Sequence, residues 1–208
     1  MPAPIFAISR HRIPIDGQGV TTLVTFSHCP LRCKYCLNPQ CEDEARMHPY
    51  TPEQLMKEVQ VDNLYFLATG GGVTFGGGEP CLRSEFIADF KQLAMSNPDS
   101  RQWRFTIETS LAVPQHHIER LIPVIDQWII DVKDMHPSIY ERYTRHPIAP
   151  MLSNLQFLAE RGLQERCHIR VPSIPEFNTP ELQAESRRIL EDMGFHGIEM
   201  FEYIKKEN

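Results

Sequence analysis

The sequence predicts an α/β protein in which parallel strands alternate with helices. Short apolar runs and amphipathic segments alternate about six times along the 208 residues, which is the pattern of strands joined by right-handed helical crossovers. Polar or glycine-rich residues directly follow several of the apolar runs. Such strands form an open sheet or a full or partial barrel, and in each arrangement ligands bind at the carboxyl ends of the strands.

Each predicted strand is a short run of aliphatic, aromatic or β-branched residues. The first, Thr22–Phe26, follows a start (residues 1–19) that proline and glycine interrupt. The second, Val73–Phe75, is very short, and the glycines after it leave backbone N–H groups uncovered at its end. The other predicted strands cover 103–108, 128–133, 167–171 and 197–203.

Each predicted helix has apolar residues at helical spacing. The first begins after Thr51 as N-cap, with Pro52 at the first position and Gln54 completing a capping box. Its apolar face is expected to comprise Leu55, Met56, Val59, Leu64 and Leu67. Later helices are predicted from about residue 84, over 114–124, over 137–161 in two pieces divided near Pro147 and Pro150, and over 180–193.

The composition is that of an ordinary globular protein, with 41% hydrophobic and 23% charged residues. The net charge of −6 gives no support to nucleic acid as a partner. Because we find no apolar run of about 18 residues and no signal sequence, we expect no membrane association and a cytoplasmic location. No repeat or linker interrupts the chain, so we expect a single domain over residues 1–208.

Three cysteines lie within eight residues directly after the first strand. Cys29, Cys33 and Cys36 on a loop suit one soft metal centre better than a disulfide framework. Three ligands without an obvious fourth indicate an open coordination position, which is typical of a catalytic site. The alternative is a zinc site in which Cys41, or His28 in its place, completes the set, and the protein would then be a non-enzymatic zinc or iron–sulfur module.

Further polar residues follow the other predicted strands, and we expect them at the same rim as the cysteine loop. They are the Gly76–Glu79 loop, Glu108 with Thr109, Asp131 with Lys133, and Arg170. The alternative is structural: an ion-pair network for Glu108, Asp131 and Lys133, a helix-borne glutamate as the partner of Arg170, and a turn role for Asp16. Three remaining cysteines are expected to be small buried side chains: Cys41, Cys81 and Cys167.

With Gly77-Gly78-Glu79-Pro80 after the second strand, the cysteine loop resembles that of the radical S-adenosylmethionine (SAM) enzymes. The resemblance extends to the activating enzymes of glycyl radical enzymes, and is strongest to the pyruvate formate-lyase activating group. Matching segments run in the family's order over nearly the whole chain. They are 16–19, 35–38, 51–59, 70–80, 131–133, 169–170 and 198–203.

The resemblance implies a partial (β/α)6 barrel of the radical SAM type. It implies that Cys29, Cys33 and Cys36 hold one [4Fe–4S] cluster whose fourth iron binds SAM, and that a flavodoxin or ferredoxin-type donor reduces it. SAM is then cleaved to a 5′-deoxyadenosyl radical, which takes a hydrogen atom from a glycine of a partner glycyl radical enzyme. The alternative within the superfamily is another peptide or small molecule as substrate.

The resemblance also assigns roles to single residues. Gly77, Gly78 and Glu79 would receive the SAM ammonium group, and Tyr35 and Leu37 would offer backbone contacts to the adenine. The remaining expected SAM neighbours are Asn38, Lys133 and Arg170. A monovalent cation would be held by Glu108, Thr109 and Asp131, and the substrate peptide would contact Asp16.

Three positions depart from the family's pattern. Ile204 stands where the family tends to place a histidine, so the usual imidazole contact with SAM is missing. Glu108 replaces the usual aspartate of the cation site. Glu176 occupies a loop position where relatives often have glycine, which makes the backbone shape of that loop a specific question for the structure.

Overall fold

The computed structural model describes residues 1–13 and 15–203. The strands in this part of the chain are β1 (Ala3–Arg12), β2 (Thr21–Phe26), β3 (His48–Tyr50), β4 (Gly72–Gly77), β5 (Arg104–Thr109), β6 (Gln127–Asp131), β7 (Cys167–Ser173) and β8 (Ile198–Glu202). The helices are α1 (Pro52–Val59), α2 (Asn63–Thr69), α3 (Ser84–Ser96), α4 (Gln115–Leu121), α5 (Pro137–Thr144), α6 (Ala149–Glu160) and α7 (Pro180–Asp192).

The sheet is dominated by parallel strands, and its order is β3-β1-β2-β4-β5-β6-β7-β8. The pairs β2–β4, β4–β5 and β7–β8 are parallel. The strand β1 is antiparallel to both of its neighbours. The predicted α/β class with parallel strands is therefore confirmed, and the sheet is open. The two predicted pieces of the 137–161 segment are the helices α5 and α6.

Two strands at one edge of the sheet were missed. The start of the chain forms the ten-residue strand β1, with Ala3 and Ile5 buried against the core. Its prolines and short apolar stretches conceal the strand, which pairing with β2 stabilises. The strand β3 contains Pro49, which an edge strand tolerates because one side of it needs no backbone hydrogen bonds.

The predicted helix after Thr51 is shorter than expected. The capping box is present, since Thr51 and Gln54 exchange hydrogen bonds of 2.8 and 3.2 Å. A 3₁₀ turn at residues 60–62 then separates α1 from α2. Leu64 and Leu67 are 76% and 46% exposed, so their assignment to the buried face was wrong.

The break coincides with a buried ion pair at Asp62. Its carboxylate accepts hydrogen bonds from the Arg10 guanidinium at 2.8 Å and from the Thr22 hydroxyl at 2.7 Å. A buried carboxylate needs such partners, and reaching them turns the chain out of the helical path of α1. Because α2 starts from this turn, its apolar residues no longer share a face with those of α1.

Contacts between residues divide the chain into two compact units. The first unit contains residues 1–29, 38–109 and 116–128. Its core includes a chain of aromatic rings, Phe26, Phe75, Phe90 and Phe105, whose successive ring centroids are each 5.9 Å apart. Such ring pairs stabilise a core beyond their buried area alone.

The second unit contains residues 30–37, 110–115 and the chain from Ile129 onward. Here β7 and β8 pair from Ile169 with Ile198 to Ser173 with Glu202. The helix α7 is joined to this pair through Gln183, whose side-chain amide donates to the Val171 carbonyl at 2.7 Å. The single domain expected for residues 1–208 stays a prediction. Within the residues that the structure describes, no helix is both long and apolar enough to cross a membrane.

Candidate functional site

The cysteine loop runs from the end of β2 to Asn38 without a helix or strand. Cys29 and Cys33 are partly exposed, Cys36 is exposed, and none of them is in a disulfide. Three thiols on a loop of irregular backbone match the donor set that an iron–sulfur cluster requires. Across residues 1–13 and 15–203, no three His, Cys, Asp or Glu side chains are already grouped as a metal site.

The first residues of the cysteine loop are fixed to the first unit by backbone hydrogen bonds. His28 has a left-handed backbone, with φ at +72°, and its N–H donates to the Cys41 carbonyl at 2.9 Å. The Cys29 N–H donates to the Glu42 carboxylate at 2.9 Å. The side chain of Cys41 is buried, as are those of Cys81 and Cys167, so the prediction for these three thiols is confirmed.

The glycine–glutamate loop, Gly77–Glu79, continues from β4 and is fixed by the end of β2 and the residues that follow it. The Gly78 and Glu79 N–H groups donate to the carbonyls of Phe26 and His28, each at 2.8 Å. A Cβ on Gly78 would lie 2.3 Å from the His28 carbonyl oxygen. Gly77 has φ at +99°, and its Cβ would lie 2.8 Å from the Thr25 side chain. Only glycine fits these two positions.

Glu79 is buried, with 1% of its surface exposed, and its carboxylate accepts hydrogen bonds from two nearby residues. The Thr109 hydroxyl donates to its Oε1 at 2.7 Å, and the Cys81 N–H donates to the same oxygen at 3.1 Å. A buried carboxylate whose oxygen is held by hydrogen-bond donors is well placed to receive a cationic group. Thr109, which is predicted as a cation ligand, therefore donates a hydrogen bond to Glu79. The sequence does not predict this contact, because the two residues are distant along the chain.

Two further groups complete the surroundings of this loop. The Asn38 amide donates to the Gly77 carbonyl at 3.1 Å, so the structure brings together these two predicted SAM neighbours. The Cys81 thiol donates to the Thr109 hydroxyl at 3.2 Å. Burial, and then the charge of Glu79, raise the pKa of Cys81 well above its ordinary value, so this thiol stays protonated.

Asp16 lies in the first unit and is 4% exposed. Its carboxylate pairs with the Arg12 guanidinium, and its carbonyl accepts a hydrogen bond from the Thr74 hydroxyl. The hydrogen bond to Asp16 raises the pKa of Arg12 against the opposing effect of burial, and the charge of Glu108 adds to the increase. Asp16 therefore anchors the turn after β1 to β4, which agrees with the structural alternative; its contact with a substrate stays a prediction.

Asp131 and Lys133 form an ion pair in the second unit, with Oδ2 and Nζ 3.2 Å apart. Burial lowers the pKa of Lys133, but the charges of Asp131 and Cys33 outweigh it, so the net shift is upward and the ammonium group is retained. The ion pair between Asp131 and Lys133 agrees with part of the structural alternative, which also included Glu108, and contact of Lys133 with SAM stays a prediction. Arg170 lies 3.8 Å from the carboxylate of Glu199 in the strand β8, and the alternative of a helix-borne glutamate as its partner stays a prediction.

Cys33 lies in the electrostatic neighbourhood of the same ion pair. Burial raises the pKa of its thiol, while the positive charge of Lys133 lowers it, and Cys36 and Asp131 raise it further. The net shift of the Cys33 pKa is upward, and the positive charge of Lys133 is the largest effect that opposes it. The structure therefore brings together four predicted site residues of the second unit: Cys33, Cys36, Asp131 and Lys133.

Tyr35 is enclosed by aromatic side chains of the second unit. Its ring centroid lies 6.1 Å from those of Phe177 and Tyr203 and 6.3 Å from that of Tyr143. The Tyr203 hydroxyl donates to the Tyr35 carbonyl, one of the groups expected to contact adenine. Leu37, the other adenine contact, is exposed. No pattern in the sequence indicates the contact of Tyr203 with Tyr35.

Two of the three positions that depart from the family pattern, Glu108 and Glu176, lie in the described part of the chain. Glu176 has φ at +71°, so the loop keeps the left-handed backbone that a glycine at this position would favour. Ile204 lies outside the described residues. The cation role of Glu108, Thr109 and Asp131 stays a prediction.

Comparison with known proteins agrees with these features. The family model described as "Radical SAM superfamily" matches residues 23–187. The (2S)-3-sulfopropanediol dehydratase activating enzyme of Klebsiella oxytoca is 28% identical over 93% of this chain and 78% of its own length. The pyruvate formate-lyase-activating enzyme of Clostridium pasteurianum is 33% identical over 62% of this chain and 52% of its own.

The fold also matches solved structures at low sequence identity. The crystal structure of Streptococcus suis SuiB bound to precursor peptide SuiA has a TM-score of 0.66 and 13% identity, and the match covers 89% of this chain and 42% of that one. At this identity the likeness supports the fold alone.

Proposed function

Because the chain belongs to the radical SAM superfamily, we propose that it is an activating enzyme that takes a hydrogen atom from a glycine of a partner glycyl radical enzyme. The observation that carries the proposal is the three-cysteine loop after β2 in a chain whose similar curated relatives are activating enzymes. The superfamily implies a [4Fe–4S] cluster and SAM as cofactors. Cys29, Cys33 and Cys36 would hold the cluster as thiolates.

When bound, the cluster and SAM would together supply the reductive radical chemistry that takes a hydrogen atom from the glycine. The residues of the protein would bind SAM and orient it. The buried Glu79 carboxylate would attract the SAM ammonium group, with Thr109 holding one of its oxygens in place. Lys133 would attract the SAM carboxylate, and its retained charge supports this role.

The backbone of the glycine–glutamate loop would position the Glu79 carboxylate. Since Gly77 and Gly78 carry no side chains, this loop packs directly against Thr25, Phe26 and His28, and this packing fixes the backbone that leads to Glu79. Asn38 binds the Gly77 carbonyl and so ties the end of the cysteine loop to it. We assign the adenine to the neighbourhood of Tyr35, Leu37 and Asn38, and Arg170 to the same rim as Lys133.

The partners follow from the same proposal. The substrate is a protein, since the similar relatives are named as activating enzymes of other enzymes. We further propose a flavodoxin or ferredoxin-type electron donor, a cytoplasmic location, a substrate contact at Asp16, and a monovalent cation near Glu108, Thr109 and Asp131.

The test is co-incubation, without oxygen, of the reconstituted protein with SAM, a reductant and a glycyl radical enzyme encoded beside it. We expect an EPR doublet of a glycyl radical in the partner and formation of 5′-deoxyadenosine. Formation of 5′-deoxyadenosine with other substrates but no glycyl doublet with any candidate partner would instead favour a radical SAM enzyme acting on another peptide or small molecule. Colourless protein that contains zinc and no sulfide would contradict every radical mechanism.

A further inference from the structure

The loop between β7 and α7 has a glutamate in a backbone conformation that favours glycine. Glu176 has φ at +71°, in the left-handed region that side chains with a Cβ rarely adopt. A non-glycine residue persists there only when its surroundings hold it in place. The contacts of Glu176 therefore show what holds this residue in place.

The Glu176 side chain binds two consecutive residues of the cysteine loop. Its Oε2 accepts a hydrogen bond from the Tyr35 hydroxyl at 2.9 Å and lies 3.2 Å from the Lys34 Nζ. Lys34 and Tyr35 are the two residues that separate Cys33 from Cys36.

The loop that carries Glu176 is itself fixed. The Arg142 guanidinium, from α5, donates to the carbonyls of Glu176 and Phe177 at 3.4 and 2.9 Å. The Phe177 ring lies 5.0 Å from that of Tyr143 and 6.1 Å from that of Tyr35. The carboxylate is thus presented from a braced loop, although the side chain itself is half exposed.

The end of α5 holds the backbone of the same part of the cysteine loop. The Arg32 N–H donates to the Thr144 carbonyl at 2.7 Å, and the Lys34 N–H donates to the Tyr143 carbonyl at 3.2 Å. The helix end thus positions the backbone, while Glu176 positions the side chains of Lys34 and Tyr35. Both sets of contacts act on residues 32–35, which flank Cys33 and separate it from Cys36.

We propose that Glu176 is a positioning residue for the metal-binding loop: its carboxylate holds Lys34 and Tyr35 so that Cys33 and Cys36 keep the spacing that cluster binding requires. This inference rests on the proposed function. A glycine at position 176 would relax the backbone but would lose both side-chain contacts. Glutamate at this position therefore has a strained backbone, but its side chain binds the cysteine loop.

The test compares Glu176→Gly with Glu176→Gln and with Arg145→Gly. Arg145 is an exposed residue at the end of α5 with φ at +58°, so Arg145→Gly relieves similar strain without removing a contact to Lys34 or Tyr35. Each reconstituted protein is measured for its melting temperature, its rate of iron loss to a chelator, and the EPR signal of the reduced protein. Glu176→Gln keeps an oxygen that accepts the Tyr35 hydrogen bond, so it serves as the conservative rescue.

We expect Glu176→Gly to lose iron roughly three- to tenfold faster than the parent, as the loss of two partly exposed polar contacts predicts. Its EPR signal should shift, while its melting temperature stays unchanged or rises. Glu176→Gln and Arg145→Gly should both lose iron within about twofold of the parental rate, because each keeps the Tyr35 contact. Tyr35→Phe, which removes the hydroxyl donor, should also accelerate iron loss.

Two results would overturn the inference while leaving the proposed function intact. One is a parental rate of iron loss in Glu176→Gly. The other is equal acceleration in Glu176→Gly and Arg145→Gly, since backbone relaxation would then account for the effect. A parental protein that takes up no iron and sulfide would overturn the proposed function together with this inference.

Discussion

The glycine–glutamate loop and the cysteine loop are held in different ways. In the former, consecutive N–H groups donate to the segment after β2, and Gly77 and Gly78 leave no space for a Cβ. In the latter, the backbone forms no helix or strand, and Cys36 is exposed. The glycine–glutamate loop is therefore set by close backbone packing, whereas the cysteine loop is held by separate backbone hydrogen bonds at His28, Arg32 and Lys34 and by the side-chain contacts of Glu176.

Substitutions in the two loops should therefore affect different properties of the protein. A change in the glycine–glutamate loop should reduce the stability of the fold, because its backbone is part of the core packing. A change of a loop cysteine should remove cofactor binding and leave the fold intact. Four predictions test this contrast.

The largest effect is expected from Cys33→Ala. Removal of one of three cluster ligands should abolish formation of 5′-deoxyadenosine and reduce bound iron and sulfide to background. The far-ultraviolet circular dichroism of the metal-free protein should not change, because the loop contains no helix or strand. Parental iron content and activity in this variant would contradict the assignment of Cys33.

Gly78→Ala should destabilise the fold by about 3 kcal/mol or more, since the new methyl group would overlap the His28 carbonyl oxygen and force the backbone apart. The matched control is Gly162→Ala. Gly162 has φ at +69° but nothing within 4 Å of its Cβ position, so only the left-handed penalty of about 1 kcal/mol applies. Urea unfolding measures both, and equal losses would contradict the packing argument.

Thr109→Val should destabilise the protein by about 1–3 kcal/mol, because it removes the hydroxyl that donates to the buried Glu79 carboxylate. Thr109→Ser keeps the donor and should recover most of the loss. SAM affinity of the reconstituted protein should fall in Thr109→Val and not in Thr109→Ser. Equal affinities in the two variants would show that Thr109 does not orient Glu79 for binding.

The smallest effect concerns pH. Because the folded pKa of Cys81 is raised well above its ordinary value of 9.0, its contribution to stability is complete below that pH and is lost as the pH rises further. Above pH 9 this group alone removes about 1.4 kcal/mol per pH unit until the folded pKa is reached. The stability of Cys81→Ala should therefore decline less between pH 9 and pH 10.5 than that of the parent; parallel curves would contradict the expectation.

The predictable part of the molecule is the part encoded within a few residues. The Thr51–Gln54 capping box and the end of β4 are local patterns, and the structure contains both. The strand β1 and the break at Asp62 were not predictable, because they depend on partners distant in the chain. The same holds for the contact of Tyr203 with Tyr35, which spans 168 residues.

Within the candidate site, residue types were easier to predict than their partners. Glu79 and Thr109 were both selected from strand ends, yet their hydrogen bond to each other depends on the register of β4 against β5. Glu176 was noted as a departure from glycine, and its backbone shape follows from that. Its contacts with Lys34 and Tyr35 depend on where two loops of the second unit meet, which periodicity does not report.

In the proposed function, this protein takes the α-hydrogen of a glycine in a partner enzyme. The most direct measurement uses that partner with its glycines labelled with deuterium at the α-carbon, incubated without oxygen with the reconstituted protein, SAM and a reductant. We predict a glycyl EPR signal in which the doublet is lost, because the α-hydrogen that remains on the radical is deuterium. We also predict 5′-deoxyadenosine that contains one deuterium. Unlabelled 5′-deoxyadenosine and no glycyl signal would contradict the claim.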